Sequence, residues 1–396
     1  MDFELSDEQR MVRDMVRSFA TREVAPVAAR VDESGEFPWD TIRKAARLGL
    51  LGLPIPEKYG GAGADSVSYA LAIEELARAC GSTALTIAAH TALAAYPLYL
   101  FGSEEQKRKY LVPLAQGEML GAFGLTEPEA GSDAGATRTR AARHGGEWVI
   151  NGSKTFITSG SIAGVVLITA RTEPGDDTSG ISAFIVEQGT PGFRAGRTLE
   201  KMGLHGSVTS ELFFEDCRLP ASNLLGRQGG GFKQFLAALD GGRIGIGALS
   251  VGLAQAALDI ALAYAQQRVQ FKQPIAKLQA IQFMLADMAT NVDAARLLVL
   301  QAAYRKDRGM PFGKEAAQAK LFASEMAERV CHQAIQILGG YGYMREYQVE
   351  RIYRDVRLME IGEGTSQIQR LVIARHLLDG VRAPAAKRRK EGPEAA

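Results

Sequence analysis

The chain has 396 residues, enough for two or three domains, and its 46% hydrophobic and 23% charged residues exclude a disordered, collagenous or disulfide-stapled class. Lys plus Arg number 46 against 45 Asp plus Glu, so no global positive field exists to recruit nucleic acid. Cys80, Cys217 and Cys331 stand far apart with no CxxC, which fits a reducing compartment. No uninterrupted 18-residue apolar run is present, so no membrane span is expected. The first twenty residues are rich in charge and lack a signal-peptide apolar core. The expected location is the cytoplasm.

Residues 1–118 read as helical. Ser6 followed by Asp7, Glu8 and Gln9 is an N-cap with acidic first-turn residues, and Met11, Met15, Val16 and Phe19 then recur at helical spacing. A second helix is expected over 39–50, ended by the Pro- and Gly-rich stretch at 54–61. Ser66 is the expected cap of a third helix, and the Ala/Leu-rich 84–101 run is a buried helix. The character then changes. Residues 119–231 form a β domain: 20 of the 43 glycines fall between 121 and 231, and β-prone runs at 148–150, 165–169, 181–186 and 211–214 are separated by turn signals. Asn151-Gly152 predicts a hairpin. Without long intervening helices the strands should be mostly antiparallel, in a barrel or sandwich. Residues 232–382 return to long helices, expected over 244–270, 276–306 and 313–338, as in a bundle. Residues 383–396 are expected to form a disordered, solvated tail. The fold class is α+β multidomain: helical, then β, then helical.

Several chemistries are disfavoured. No G-x-G-x-x-G joins a strand to a helix; Gly60-Gly61-Ala62-Gly63 follows a Pro-rich break instead. Walker A, G-x-S-x-G and HExxH patterns are missing, and the five histidines show no ligand spacing, so no metal is expected. Four segments invite a functional reading beside a structural one. The 123–133 segment lies at the helix-to-β junction, where clefts favour ligands, but it also reads as an ordinary loop. The 154–160 segment reads alone as a core strand. The Gly-rich end of the 336–342 segment reads alone as a helix C-cap. At 361–369, Glu363 sits between two glycines before a helix that Thr365 or Ser366 would cap, and it could present a base to a ligand.

In this order and spacing the segments resemble the flavin-dependent acyl-CoA dehydrogenase family. The resemblance runs from the first helix to about residue 380. It is carried by GLTEPEAGSD at 124–133, LDGGRIGIGA at 239–248, YAQQRVQFKQPIAKLQAIQ at 264–282, QILGGYGY at 336–343 and EGTSQIQRLVIAR at 363–375. From Asp240 onward the chain is most similar to the short-chain, butyryl-CoA type.

The resemblance implies a homotetramer, a dimer of dimers, with FAD in each subunit. By position, Phe123, Gly124, Leu125 and Thr126 border the flavin, with Leu125 and Thr126 bonding its ring, and Ser132 reaches toward flavin and pantetheine. Phe156, Ile157 and Thr158 take the other side, Phe156 standing where many relatives have Trp. Arg268, Phe271, Gln279 and the Gln336, Ile337, Leu338, Gly339 and Gly340 run would serve the FAD of a neighbouring subunit. Thr365, Ser366 and Gln367 would return to FAD, and Asp240, Gly241, Gly242, Arg243 and Gly364 would contact substrate. Glu363 would take the α-proton of a fatty acyl-CoA while the β-hydride passes to flavin N5 and the electrons to an electron-transfer flavoprotein.

Absent residues refine the subfamily. The isovaleryl type places its base where this chain has Gly242, and the glutaryl type places an arginine where this chain has Ala84. Relatives often carry Tyr where Gly362 stands, so a site somewhat wider than a strict butyryl pocket is expected, taking short to medium or short branched chains. Two other readings remain beside the dehydrogenase: a non-catalytic acyl-CoA- or FAD-binding member of the fold, and a flavin oxidase relative.

Overall fold

A computed structural model describes residues 4–175 and 177–379; the tail at 383–396 lies outside the described residues. The first helix, Asp7–Phe19, opens on a capping box in which the Ser6 hydroxyl accepts the Gln9 N–H and the Gln9 side chain returns to the Ser6 N–H. Asp65, not Ser66, caps the Ser66–Ala79 helix, because its carboxylate accepts the Ser68 N–H. The next helical stretch, Gly81–Phe101, carries a π-helical insertion at His90–Ala95.

Eight strands follow: β1 (Gly121–Gly124), β2 (Arg140–His144), β3 (Glu147–Thr158), β4 (Val165–Arg171), β5 (Ile181–Glu187), β6 (Phe193–Thr198), β7 (Thr209–Pro220) and β8 (Leu224–Leu225). They form one sheet in the order β6-β7-β3-β2-β4-β5-β8, with β1 beside β4. Pairing is antiparallel except where β1 and β2 meet β4. Asn151-Gly152 does not turn the chain. It lies inside the twelve-residue β3, at a register shift against β7 between Ile150 and Gly152. The turn falls earlier, between β2 and β3. Gly152 is needed there for space: at φ +147, a Cβ would come 2.6 Å from Thr139 Oγ1.

Four long helices dominate the rest of the described chain: Gly231–Gln267, Gln279–Asp307, Gly313–Leu338 and Ser366–Asp379. The main core joins both helical regions, with Leu76, Ala84, Leu249, Leu253, Met288 and Met326 among its fully or almost fully buried members. The Gly81–Phe101 and Gly231–Gln267 helices are, by length and composition, long and apolar enough to cross a membrane. In each, 72% of the apolar window is buried inside the protein, as in a core helix.

Candidate active site

The 231–267 helix organises the site. Near its start, buried Phe235 stacks on Phe123 of β1 with ring centroids 4.1 Å apart. Seven residues later, about 10 Å along the helix, Gly242 lies against Glu363. A Cβ there would overlap Glu363 Oε2 and come 3.0 Å from Leu93 Cδ2. The alternative base position and Glu363 therefore compete for one space, and only a glycine leaves room for the carboxylate.

Glu363 stands in the left-handed region at φ +54, which side chains seldom adopt. The loop is held by its carbonyls. Gln369 Nε2 donates to Glu363 O at 3.2 Å and to Gly364 O at 2.9 Å, and Lys320 Nζ donates to Gly364 O at 2.8 Å. Parts of the residue reach solvent, but Oε2 is buried and has no hydrogen-bond partner. Burial pushes the carboxyl up to about 7, against the downward pull of the Lys320 and Arg243 charges. Such a group is poised as a general base near neutral pH. Arg243 is buried and pairs with Asp240, and its Nε is unpartnered. Burial lowers its pKa and raises that of Asp240, each charge partly offsetting the effect on the other.

A second cluster lies between β1 and β3. The Thr155 N–H donates to Thr126 O at 2.9 Å, drawing the Phe123, Gly124, Leu125 and Thr126 segment alongside Phe156, Ile157 and Thr158. Beneath them Lys154, with no exposed surface, donates to Glu127 at 2.7 Å, Leu125 O at 3.2 Å and Thr169 Oγ1 at 3.1 Å. Glu127 also accepts the Arg138 and Thr139 N–H groups. Burial holds Lys154 down to about 8, while Glu127 pulls it up. Phe156 projects outward, 68% exposed at φ +59. The Ile157 side chain is buried in the β core, and its backbone pairs with Ser210 of β7 while its carbonyl accepts the Gly160 N–H at 3.1 Å. Ser132 is exposed.

A third group lies at the other end of the 231–267 helix. Arg268 stacks over Tyr341 at 5.4 Å, joining the 264–282 and 336–343 segments. Gln279, Gln336, Gly339 and Gly340 are exposed, and Phe271 is 84% exposed, whereas the Ile337 and Leu338 side chains belong to the core. Thr365 caps the last helix by accepting the Ile368 N–H at 3.3 Å; Ser366 is buried with an unpartnered hydroxyl, and Gln367 is exposed. At Gly362 a Cβ would point toward Leu358, 3.6 Å away.

Motif reading did not single out Lys320, Gln369, Glu127, Lys154 or Leu93, which touch the candidate site. One signal was available for Lys320: it shares a helical face with Ala316, Ala319, Ala323 and Ala327, where a cation is anomalous unless it has a partner. Two surface grooves lie away from Glu363. One, about 400 Å³, is lined by residues including Phe101, Gln106, Tyr110 and Asn223; the other is lined by residues including Glu328, His332 and Arg357.

A sheet domain thus lies between two helical regions, and a buried carboxylate oxygen faces a helix glycine. The family models for the acyl-CoA dehydrogenase N-terminal, middle and C-terminal domains match residues 6–118, 122–217 and 229–378. The chain is 61% identical over 379 residues, 96% of its length and all of the relative's, to the probable acyl-CoA dehydrogenase YngJ of Bacillus subtilis. It is similar to butyryl-CoA dehydrogenase from Megasphaera elsdenii, at 46% identity and TM-score 0.94, over 96% of this chain and all of that one. It is also similar to a chain in the structure of the electron transferring flavoprotein of Acidaminococcus fermentans, at 48% identity and TM-score 0.94 with the same coverage. The chain belongs to the acyl-CoA dehydrogenase family.

Proposed function

We propose that this protein oxidises a short acyl-CoA thioester to the trans-2-enoyl-CoA, with Glu363 as the base that removes the α-proton. The observation that carries the reading is the Glu363 carboxyl, its Oε2 buried, unpartnered and held against Gly242, with burial raising the group to about 7. A carboxylate in water is too weak a base for a thioester α-carbon, so the site must stabilise enolate charge as it develops. The Glu363 backbone N–H is the donor this chain offers for the thioester oxygen. A bound acyl chain excludes water, which strengthens the electrostatic interactions inside the site.

The residues present fit FAD. Phe156 and Phe271 offer uncovered aromatic faces, Gly339 and Gly340 leave open space where a Cβ would stand, and Ser366 Oγ is an unpartnered buried hydroxyl. In this reading Phe123, Gly124, Leu125, Thr126, Ser132, Phe156, Ile157, Thr158, Thr365, Ser366 and Gln367 hold the flavin. Arg268, Phe271, Gln279 and 336–340 hold that of a neighbouring subunit in a tetramer. Asp240, Gly241, Gly242, Arg243, Ser132 and Gly364 line the substrate path. When bound, FAD supplies the hydride acceptor; similarity to the butyryl-CoA dehydrogenase and to the chain from the flavoprotein structure supports a short substrate and an electron-transfer flavoprotein as acceptor.

Anaerobic addition of butyryl-CoA to the yellow holoenzyme tests this reading. Wild type should bleach. Glu363→Gln keeps the shape but cannot take a proton, so it should retain FAD and bind acyl-CoA with bleaching slowed 10²–10⁴-fold or more, on the order of a general-base contribution. Near-normal reduction of the variant would refute the assignment of the base. In wild type the bleaching rate should rise with pH through about 7 as the carboxylate ionises.

A further inference from the structure

Tyr69 is buried on the 66–79 helix. Asp307 fixes the first turn of that helix, accepting the Ser66 N–H at 2.8 Å and the Val67 N–H at 3.2 Å. The Tyr69 hydroxyl donates to Ala88 O at 3.4 Å, and a Cβ at Gly245 would come 2.9 Å from it. Gly245 follows Gly242 by three residues on the 231–267 helix, which places it on the same face and about 4.5 Å further along at 1.5 Å per residue. The unpartnered Glu363 carboxylate therefore stands at one end of this short glycine face and the Tyr69 hydroxyl at the other. The two groups also share a field: burial and the Glu363 charge together push the Tyr69 hydroxyl pKa far up, so it stays neutral.

We infer that Tyr69 is the floor of the acyl site and sets its chain length, leaving room beyond the reacting carbons for about one helical turn of acyl chain. The inference rests on the acyl-CoA reading and names the residue that gives it a length limit. A longer chain must displace a tyrosine ring held by the fixed 66–79 helix, and close-packed interiors do not yield such space freely. The floor works by volume, so its hydroxyl is not needed for the limit.

The test compares kcat/KM for butyryl-, hexanoyl- and octanoyl-CoA in flavin-replete holoenzyme. Tyr69→Ala should raise the octanoyl-to-butyryl ratio at least 10-fold, the lower end of what one misfit methylene is worth in a pocket. Tyr69→Phe keeps the ring and should leave the ratio within about two-fold. Gly245→Ala approaches the same floor from the facing helix and should lower the hexanoyl-to-butyryl ratio, which keeps the test open if Tyr69→Ala does not fold. Unchanged ratios in Tyr69→Ala or Gly245→Ala holoenzyme that still oxidises butyryl-CoA would overturn the inference alone. A wild-type holoenzyme that no acyl-CoA reduces would overturn the acyl-CoA reading and this inference together.

Discussion

Glu363 gains its character from three neighbours that act differently. Gly242 supplies space, Lys320 supplies charge and a hydrogen bond, and Gln369 supplies the bonds that hold a left-handed backbone. Lys320→Gln separates two of these, because an amide can still donate to Gly364 O but carries no charge. The Lys320 charge pulls the Glu363 carboxyl down from where burial alone would put it. Its loss must therefore move that carboxyl further up. The acid limb of the bleaching-rate profile should shift to higher pH by about 1–3 units, the usual effect of one nearby charge, with FAD content retained. A merely structural lysine would change flavin content or Tm and leave the limb in place. The Glu363 loop was legible in the sequence because a carboxylate flanked by glycines before a helix is a local pattern, but only the family resemblance made Glu363 the favoured base rather than part of a helix cap. The partners of Lys320 and Tyr69 were not, since each meets the loop or its facing helix only through tertiary packing.

At the scale of elements, the turn-and-period reading found the helical regions and four of the eight strands of the sheet, and it placed the 313–338 helix at its observed bounds. It misread Asn151-Gly152 because a glycine that admits a neighbouring backbone has the same local sequence as one that turns the chain. The π-helical insertion at His90–Ala95, which carries Leu93 to Gly242, leaves no periodic signature in an Ala-rich run. The link between β1 and β3 is also tertiary: Lys154 crosses under the Phe123–Thr126 segment to Glu127, and both side chains are buried. Glu127→Gln would leave the ammonium buried without its carboxylate, which costs about 3–5 kcal/mol for a buried pair broken on one side. Its Tm should fall, and the segment that borders the flavin in the proposed reading should loosen, so FAD should be lost on dilution. Adding Lys154→Met removes the stranded charge and should recover most of the Tm. If the single variant melts with wild type, the pair does not brace this part of the fold.

Across the whole molecule, three large exposed aromatics lie on segments that the proposed assembly would cover, while Met11, Phe156 and Leu378 are exposed elsewhere. Phe271, Phe283 and Tyr343 are all more than 60% exposed, on the 264–282 stretch, the helix after it and the QILGGYGY segment. Uncovered aromatics of this size signal an interaction surface. Arg268 stands among them, its guanidinium spread over Tyr341, in a pose suited to an anionic phosphate. If these residues hold FAD belonging to a neighbouring subunit, cofactor binding and assembly are linked, since a ligand bound only by the assembled form stabilises it by mass action. At 100 times its Kd that linkage is worth about 2.7 kcal/mol. Arg268→Ala should therefore weaken FAD retention and the tetramer together, and added FAD should restore both along one concentration curve. Sedimentation read at both the flavin and the protein absorbance follows the two quantities in one experiment. A stable, fully flavinylated monomer would refute the shared site, and tetramers that persist after the flavin is lost would show that the apolar contacts assemble the subunits without it.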